Sequence, residues 1–377
     1  MKKIKILFFT PFAGYTGSEM MLLYLLSNLD KEKFEVKLFA GKKGELLDKF
    51  PKNIEINYAI GNSYLLYRLF DKLLKKMGLS SIDDRRILKL HKKFTPDYWY
   101  INTMIMSNIV NIALENNVKY IVHFHELLSQ YNYISWEELK SMVFNASYTV
   151  GCSENVCNNL ITLGAKNIQK QYECVDFSKI KIESETKVKL KIAHKIKETD
   201  FIIVMSGQRI DRKGFDIFVR TACRLKNSGY HFLWLGASKK SGYEFFLENL
   251  MKANTLTNIT ILAPKEEEYY NYMNLADLFF LTSIEDPFPL VMLEASYLGL
   301  PILAFNSGGS SEFVKPSVGK IIEEITNNAI DENIEWMKNA IERKTFIKKD
   351  IQKYAEQYDV KNQIFLFENW LTQISIS

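Results

Sequence analysis

LTSIEDPFPLVMLEASYLGLPILAFNSGGSSEFV, Leu281 to Val314, is the stretch whose reading decides the fold. An apolar run, Ala276 to Thr282, reads as a strand and stops at the acidic pair Glu285-Asp286. Pro287 and Pro289 cannot donate ladder hydrogen bonds, so the strand cannot run on through them. Proline suits the first helical position. A helix opening at Pro289 would turn Leu290, Leu293, Ala295 and Leu298 toward a core before Gly299 ends it. The N–H groups of Leu290 and Val291 then point out of the helix start toward the acidic loop, forming a terminus that suits an anion such as phosphate. Glu294 stands eight residues after Asp286, about one turn into the helix, where its carboxylate can accept two hydrogen bonds from a diol such as a ribose. A phosphate seat beside a diol acceptor suits a sugar nucleotide.

These residues resemble the signature of family 4 (group 1) glycosyltransferases, retaining enzymes of the GT-B fold. The family's acidic-x7-acidic motif falls on Asp286 and Glu294, and its Ala-rich helix begins at Glu294-Ala295. Its Gly-x-Pro falls on Gly299-Leu300-Pro301, and its Gly-Gly-x-x-Glu loop on Gly308 to Glu312. The loop itself departs: where the family usually has Glu-Gly-Phe-Gly, this chain has Asp286-Pro287-Phe288-Pro289. Two backbone donors are lost and the first carboxylate is one methylene shorter. Spacing to Glu294 selects Asp286 as the family's first acid, although Glu285 beside it reaches further.

At 377 residues the chain is too long for one ordinary core, and two large domains fit best. A hydrophobic share of 47% with 25% charged residues describes a folded protein rather than a disordered or fibrous one. The net charge of +5 allows anionic substrates or an acidic membrane surface. No aromatic-basic platform or zinc spacing points to nucleic acid. Cys152, Cys157, Cys174 and Cys223 form no CxxC pair, which fits a reducing cytoplasm. The opening MKKIKILFF is too short in its apolar part for a signal peptide, and no run of apolar residues suggests a transmembrane helix.

Ile4 to Thr10 reads as a buried strand, Gly14 to Glu19 as a loop, Met20 to Leu29 as a helix and Phe34 to Ala40 as a second strand, the start of a doubly wound α/β domain. The loop lacks GxGxxG spacing, which argues against a nicotinamide enzyme. It resembles the family's Gly-Gly-x-Glu, placing Gly17 on the donor side and Glu19 on the acceptor side. Tyr64 to Lys93 carries nine Lys or Arg against three Asp, interleaved with leucines. Such a stretch could lie on an anionic bilayer or be a solvated helical insertion. Tyr98 to Asn102 and Tyr120 to His125 read as strands. Histidine is the side chain best suited to proton handling near neutral pH, and at a parallel strand's carboxyl end it faces the ligand crevice. Alternation puts His123 and His125 on one side, so geometry alone does not choose between them. The family's pair at this strand end corresponds to His125-Glu126. Gln171 to Phe177 resembles its Asn-Gly-Val-Asp, of which Val175-Asp176 survives.

The lysine-rich stretch 178–199 reads as linker and surface helix. Phe201 to Ser206 is a strand whose loop carries Arg209 and Lys213, which resemble the family's two cations on the donor diphosphate. His231 to Gly236 is the next strand, its final glycine letting a ligand approach the backbone. The acidic run Glu266 to Glu268 suits a solvated helix start. Asp331 to Ile374 reads as helical, and its apolar end, with Phe365, Phe367, Trp370 and Leu371, returns to the first domain in GT-B enzymes.

The fold so implied is α/β, two doubly wound Rossmann-like domains facing across a cleft. Residues 1–177 with a returning helix at 358–377 would bind acceptor, and 178–357 the nucleotide sugar. The resemblance implies transfer of a sugar from a nucleotide diphosphate sugar to an acceptor hydroxyl, in cell-surface polysaccharide or glycolipid assembly, without metal or other cofactor. Catalytic parts fall to His125, Asp286 and Glu294. Donor contacts fall to Gly17, Arg209, Lys213, Gly236, Phe288, Leu290, Val291 and Glu294, and acceptor-side contacts to Glu19, Asn102 and Glu126. The expected partners are a nucleotide sugar and a glycan or lipid-linked glycan, with no nucleic acid. The place is the cytoplasm or the inner face of the membrane, through 64–93. A sugar-nucleotide epimerase and a binding subunit without turnover share the architecture.

Overall fold

The computed structural model describes residues 2–60, 67, 73, 74, 76, 77, 79–183, 185–264 and 266–376. The chain divides into two units, Met1–Glu173 with Val360–Ser377, and Cys174–Asp359. The first holds a parallel sheet of β1 (Ile4–Thr10), β2 (Phe34–Ala40), β3 (Glu55–Tyr58), β4 (Tyr98–Asn102), β5 (Tyr120–Phe124), β6 (Tyr148–Gly151) and β7 (Ile168–Lys170), in the order β3-β2-β1-β4-β5-β6-β7. Helices cover both faces of such a sheet, so its central strands read as continuous apolar runs. Ile6 to Phe9 of β1 is accordingly buried throughout. The edge strands β3 and β7 are only partly buried, which is why their sequences carry no comparable signature.

The second unit holds β8 (Phe201–Ser206), β9 (Tyr230–Leu235), β10 (Ile259–Leu262), β11 (Leu278–Leu281), β12 (Ile302–Phe305) and β13 (Gly319–Ile322), all parallel, in the order β10-β9-β8-β11-β12-β13. Strand order reverses between β1 and β4 in the first sheet and between β8 and β11 in the second. Ligands of open α/β sheets bind at the carboxyl ends of the strands beside such reversals.

The units divide at 173/174 and 359/360, where the sequence suggested 177/178 and 357/358. Val175 pairs with Asp359, and the Phe177 ring stacks on Tyr297 with centroids 4.2 Å apart, so this segment belongs to the second unit. The C-terminal helical region is three helices, Asn327–Glu342, Lys348–Ala355 and Val360–Ile376, rather than one. A left-handed Lys344 at φ 59° accompanies the first break. The last helix packs within the first unit. Phe367 lies edge-on to Tyr100 at 5.7 Å, Trp370 edge-on to Tyr148 at 5.8 Å, and the Tyr98 hydroxyl donates to the Ile374 carbonyl at 3.1 Å. Phe365, expected to be buried with them, is 61% exposed because it falls on the opposite face.

Of the basic stretch 64–93, most of 64–81 lies outside the described residues. Ile82–Phe94 is a helix capped by Ser81, and its Ile87, Leu90 and Phe94 are buried. No described helix is long and apolar enough to cross a membrane.

Truncating a buried aromatic costs about 3–5 kcal/mol, whereas a surface substitution stays within about 0.5 kcal/mol. Phe367→Ala should therefore lower the urea midpoint of the first unit sharply while Phe365→Ala leaves it nearly unchanged. Equal effects would place the wrong face of the last helix in the core.

Candidate active site

In the second unit the loops after β8, β9, β11 and β12 meet at one edge of the sheet. The loop after β8 ends in a tight turn, Asp211–Lys213, and Gly214 at φ 67°. A Cβ on Gly214 would come within 2.0 Å of the Thr282 carbonyl, and the Thr282 hydroxyl donates to the Lys213 carbonyl at 2.9 Å. That close approach explains the glycine and stitches Lys213 to the end of β11. The Lys213 ammonium lies 2.5 Å from Asp286 Oδ2, across the strand-order reversal. Asp286 is itself clamped: its N–H donates to the Ser307 carbonyl and its carbonyl accepts from Gly309 N–H. Arg212 donates from Nη1 to the Glu285 carbonyl at 3.0 Å.

Arg209 donates from Nε to the Gly236 carbonyl at 3.1 Å and lies 3.7 Å from the Glu244 carboxylate. Gly236 has a structural reason as well, since a Cβ there would meet the Gly207 carbonyl oxygen at 1.8 Å. The helix runs Leu290–Tyr297, with Pro289 as its cap in extended conformation rather than as its first residue. Gly299 at φ 79° follows its end. Leu290 and Val291 are the first two helical residues, whose amides find no carbonyl within the helix. The Phe288 ring is buried against Tyr358, so this residue can offer a ligand its backbone and not its side chain.

Glu294 faces two tyrosines. The Tyr270 hydroxyl donates to Oε1 at 3.0 Å and the Tyr269 hydroxyl reaches Oε2 at 3.3 Å, while Tyr269 also meets the Ser206 hydroxyl at 2.7 Å. Burial pushes the Glu294 pKa up to about 7, with the tyrosine bonds working in the opposite direction.

In the first unit the reversal between β1 and β4 holds a polar cluster. Asn102, at the end of β4, donates from Nδ2 to the Ser18 carbonyl at 3.1 Å and meets His125 Nε2 through Oδ1 at 2.9 Å. Glu19 is buried and accepts from the hydroxyls of Ser18 and Thr10, and burial holds its pKa above the usual range. His125 Nδ1 lies 2.6 Å from Glu173 Oε1. His123 and His125 do share a side, with rings 3.8 Å apart, but His123 is fully buried and bonded to the Tyr100 hydroxyl. Glu126 is also buried. It accepts from the Thr103 hydroxyl and the His125 N–H, and so supports the turn at Thr103, whose φ of 90° is unusual for a residue with a side chain. Gly17 is exposed at the start of the helix Gly17–Asn28.

The fold thus brings Glu19, Asn102, His125 and Glu126 together in one unit and Arg209, Lys213, Gly236, Asp286 and Glu294 in the other. Sequence reasoning missed Glu173, Tyr269 and Tyr270. Glu173 occupies the place of the family's Asn in Asn-Gly-Val-Asp, a departure visible once Val175-Asp176 is aligned. Among the described residues, His125, Cys152 and Glu173 form the one group of metal-type ligands, with ligand atoms within 4.8 Å of one another. The 2.6 Å between His125 Nδ1 and Glu173 Oε1 is a hydrogen-bond distance. Two ligands of a tetrahedral zinc would stand about 3.3 Å apart.

Residues 187–358 match the family described as glycosyl transferases group 1. An alpha-galactosylglucosyldiacylglycerol synthase of Streptococcus pneumoniae is 33% identical over 129 residues, 32% of this chain and 33% of that protein. Protein CapJ of Staphylococcus aureus is 25% identical over 181 residues, 46% of this chain and 42% of CapJ. The chain thus spans between a third and under a half of the length of these curated relatives. Among solved structures, HepE of Anabaena in complex with UDP-glucose superposes with a TM-score of 0.82 at 18% identity, covering 98% of this chain and all of that one. A glycosyltransferase of Rickettsia africae superposes with a TM-score of 0.80 at 16% identity, covering 99% of each chain. The fold is GT-B, and the group 1 match falls within the second unit.

The raised pKa of Glu294 has a sign. Folded chain keeps a proton that unfolded chain releases above 4.5, so between 4.5 and about 7 the unfolded state binds fewer protons and stability falls as pH rises. Urea unfolding at about pH 5 and about pH 8 should show a larger loss in the native chain than in Glu294→Gln. Parallel losses would mean that Glu294 ionises normally.

Proposed function

We propose that this chain, a GT-B protein carrying a group 1 glycosyltransferase domain, is a retaining glycosyltransferase that moves a sugar from a nucleotide diphosphate sugar to an acceptor hydroxyl. The observation that carries the reading is the gathering of Arg209, Lys213, the Leu290 and Val291 amides, and Glu294 at one carboxyl edge of the second sheet, around its strand-order reversal. Cations and helix-start amides suit a diphosphate, and a carboxylate one turn away suits the ribose diol.

In the reaction the acceptor oxygen bonds the anomeric carbon, the bond from that carbon to the phosphate oxygen breaks, and the acceptor proton leaves with the nucleoside diphosphate as the other product. Negative charge grows on the departing phosphate. Lys213, Arg209 and the helix start offset it without a metal, the interaction strengthening as the bond breaks. Lys213 is paired with Asp286, so phosphate binding would exchange one anionic partner for another and leave Asp286 to accept from a sugar hydroxyl. The first unit, with Glu19, Asn102 and His125, would receive the acceptor. The likeness to an alpha-galactosylglucosyldiacylglycerol synthase supports a glycolipid acceptor, and a polysaccharide acceptor is the other candidate.

The test is a panel of nucleotide sugars, UDP-glucose first because HepE binds it, followed by product analysis with glycan and glycolipid acceptors. Ligand at about a hundred times its dissociation constant should stabilise the chain by roughly 2.7 kcal/mol. Transfer with the anomeric configuration kept supports the reading. A changed donor sugar without acceptor means an epimerase, and stabilisation without transfer or donor hydrolysis means a binding subunit.

Two substitutions probe the site. Lys213→Ala should lower turnover on the order of ten- to a hundredfold with the fold intact, and undiminished turnover removes Lys213 from the donor site. Asp286 is buried, backbone-clamped and followed by Pro287, so it meets a hydroxyl with little rotamer entropy to lose. Asp286→Asn should therefore impair transfer far more than Glu285→Gln, with nucleotide affinity little changed in either. The reverse ranking would shift the sugar contact to Glu285.

A further inference from the structure

We infer that Glu173 holds His125 as an imidazolium that donates from both ring nitrogens, so that the residue at the end of β5 is a fixed cation and not a proton acceptor. The argument begins at Ser18, whose backbone carbonyl can only accept. Asn102 lies 3.1 Å from it through Nδ2, and this fixes which way the amide points. Its Oδ1 is then the atom turned to His125 Nε2 at 2.9 Å, and an amide oxygen has no proton to give, so Nε2 carries one. On the other side of the ring Nδ1 meets Glu173 Oε1 at 2.6 Å, the short distance of a charge-assisted bond.

The surroundings decide between an ion pair and a neutral ring facing a protonated Glu173. Around His125 stand Glu173, Glu126 on the residue that follows it, Glu19 from the helix after β1, Tyr100 and Asn102 from β4, His123 from β5 and Cys152 after β6. Three of these are carboxyl groups. Burial disfavours the cation, yet Glu173 first, then Glu126 and Glu19, leave the His125 pKa above the ordinary histidine range. His123 stays neutral beside it: burial, and then the neighbouring His125 charge, hold its pKa well below that range.

Glu173 is thus a positioning residue. The imidazolium donates to Asn102, and Asn102 donates to Ser18, so the loop after β1 is tied to β4 by a chain of bonds whose direction starts at His125. A neutral ring keeps one N–H and leaves either Asn102 or an ionised Glu173 facing a lone pair. Only the kinetic part of this inference rests on the transferase reading, because the state of the ring is measured without turnover.

The experiment is ring nitrogen NMR of the full chain labelled with 15N-histidine, followed from about pH 6 to about pH 9, beside the pH profile of transfer. Both His125 nitrogens should be protonated at neutral pH while His123 is neutral. Glu173→Gln should lower the His125 midpoint by about one to three pH units and move the alkaline limb of the profile with it. Glu173→Asp, which keeps the charge, should recover part of both. A neutral His125 in the native chain at neutral pH overturns the inference, as does an unchanged midpoint in Glu173→Gln. If that variant does not fold, the native spectrum alone decides. Equimolar zinc retained by the chain, with Nδ1 unprotonated, also overturns it. An imidazolium in a chain that transfers no sugar would uphold the inference and sink the transferase reading.

Discussion

Where a parallel sheet reverses its strand order, the loops leaving the two central strands diverge and no crossover helix fills the space between them. Polar backbone and side chains exposed there need partners. In the second unit the reversal is spanned by Lys213 and Asp286, whose side chains are 17% and 7% exposed. In the first it is spanned by Asn102 and the Ser18 carbonyl. Neither bridge is chiefly a source of stability, since the desolvation of a largely buried ion pair offsets most of its attraction. What such a pair does is hold two loops in one register with charged groups at the crevice. Gly214 against Thr282 and Gly309 against Pro287 follow from the same constraint, because loops drawn this close leave no room for a Cβ.

Much of this was legible in the sequence because the signals were local. Apolar runs such as Ile6 to Phe9 mark buried parallel strands, and the proline pair around Phe288 marks a strand end and a helix start. The edge strands β3 and β7 were not legible, since partial burial gives no apolar run. The three-way division of the C-terminal helices was missed because its breaks fall at Lys344 and Asp359, residues without the signature of glycine or proline. Phe365 and Phe367 are alike in composition and opposite in burial, a difference set by helix phase. The tyrosines on Glu294 were invisible because they lie on a separate helix, and only the folded chain brings them to it.

The histidine pair shows the same limit more sharply. Two residues apart on one side of β5, His123 and His125 present identical chemistry in the sequence. Their environments separate them: one meets a phenol in a dry interior, the other a carboxylate contributed by a segment 48 residues further along. A strand pattern can say that both rings point the same way. It cannot say which ring gains the proton, because that depends on charges brought in by other elements.

Under the proposed transferase reading, the proton on Glu294 would make donor recognition a proton-exchange event. With a pKa of about 7 the carboxyl is substantially protonated in neutral solution. A ribose whose hydroxyls both donate to it needs the ionised form. Seating a ribose there would release a fraction of a proton to the medium, and the heat of binding measured by calorimetry would depend on the ionisation enthalpy of the buffer. Comparing buffers of different ionisation enthalpy would count that proton directly, giving a calorimetric signature for the ribose seat that is separate from affinity and from turnover.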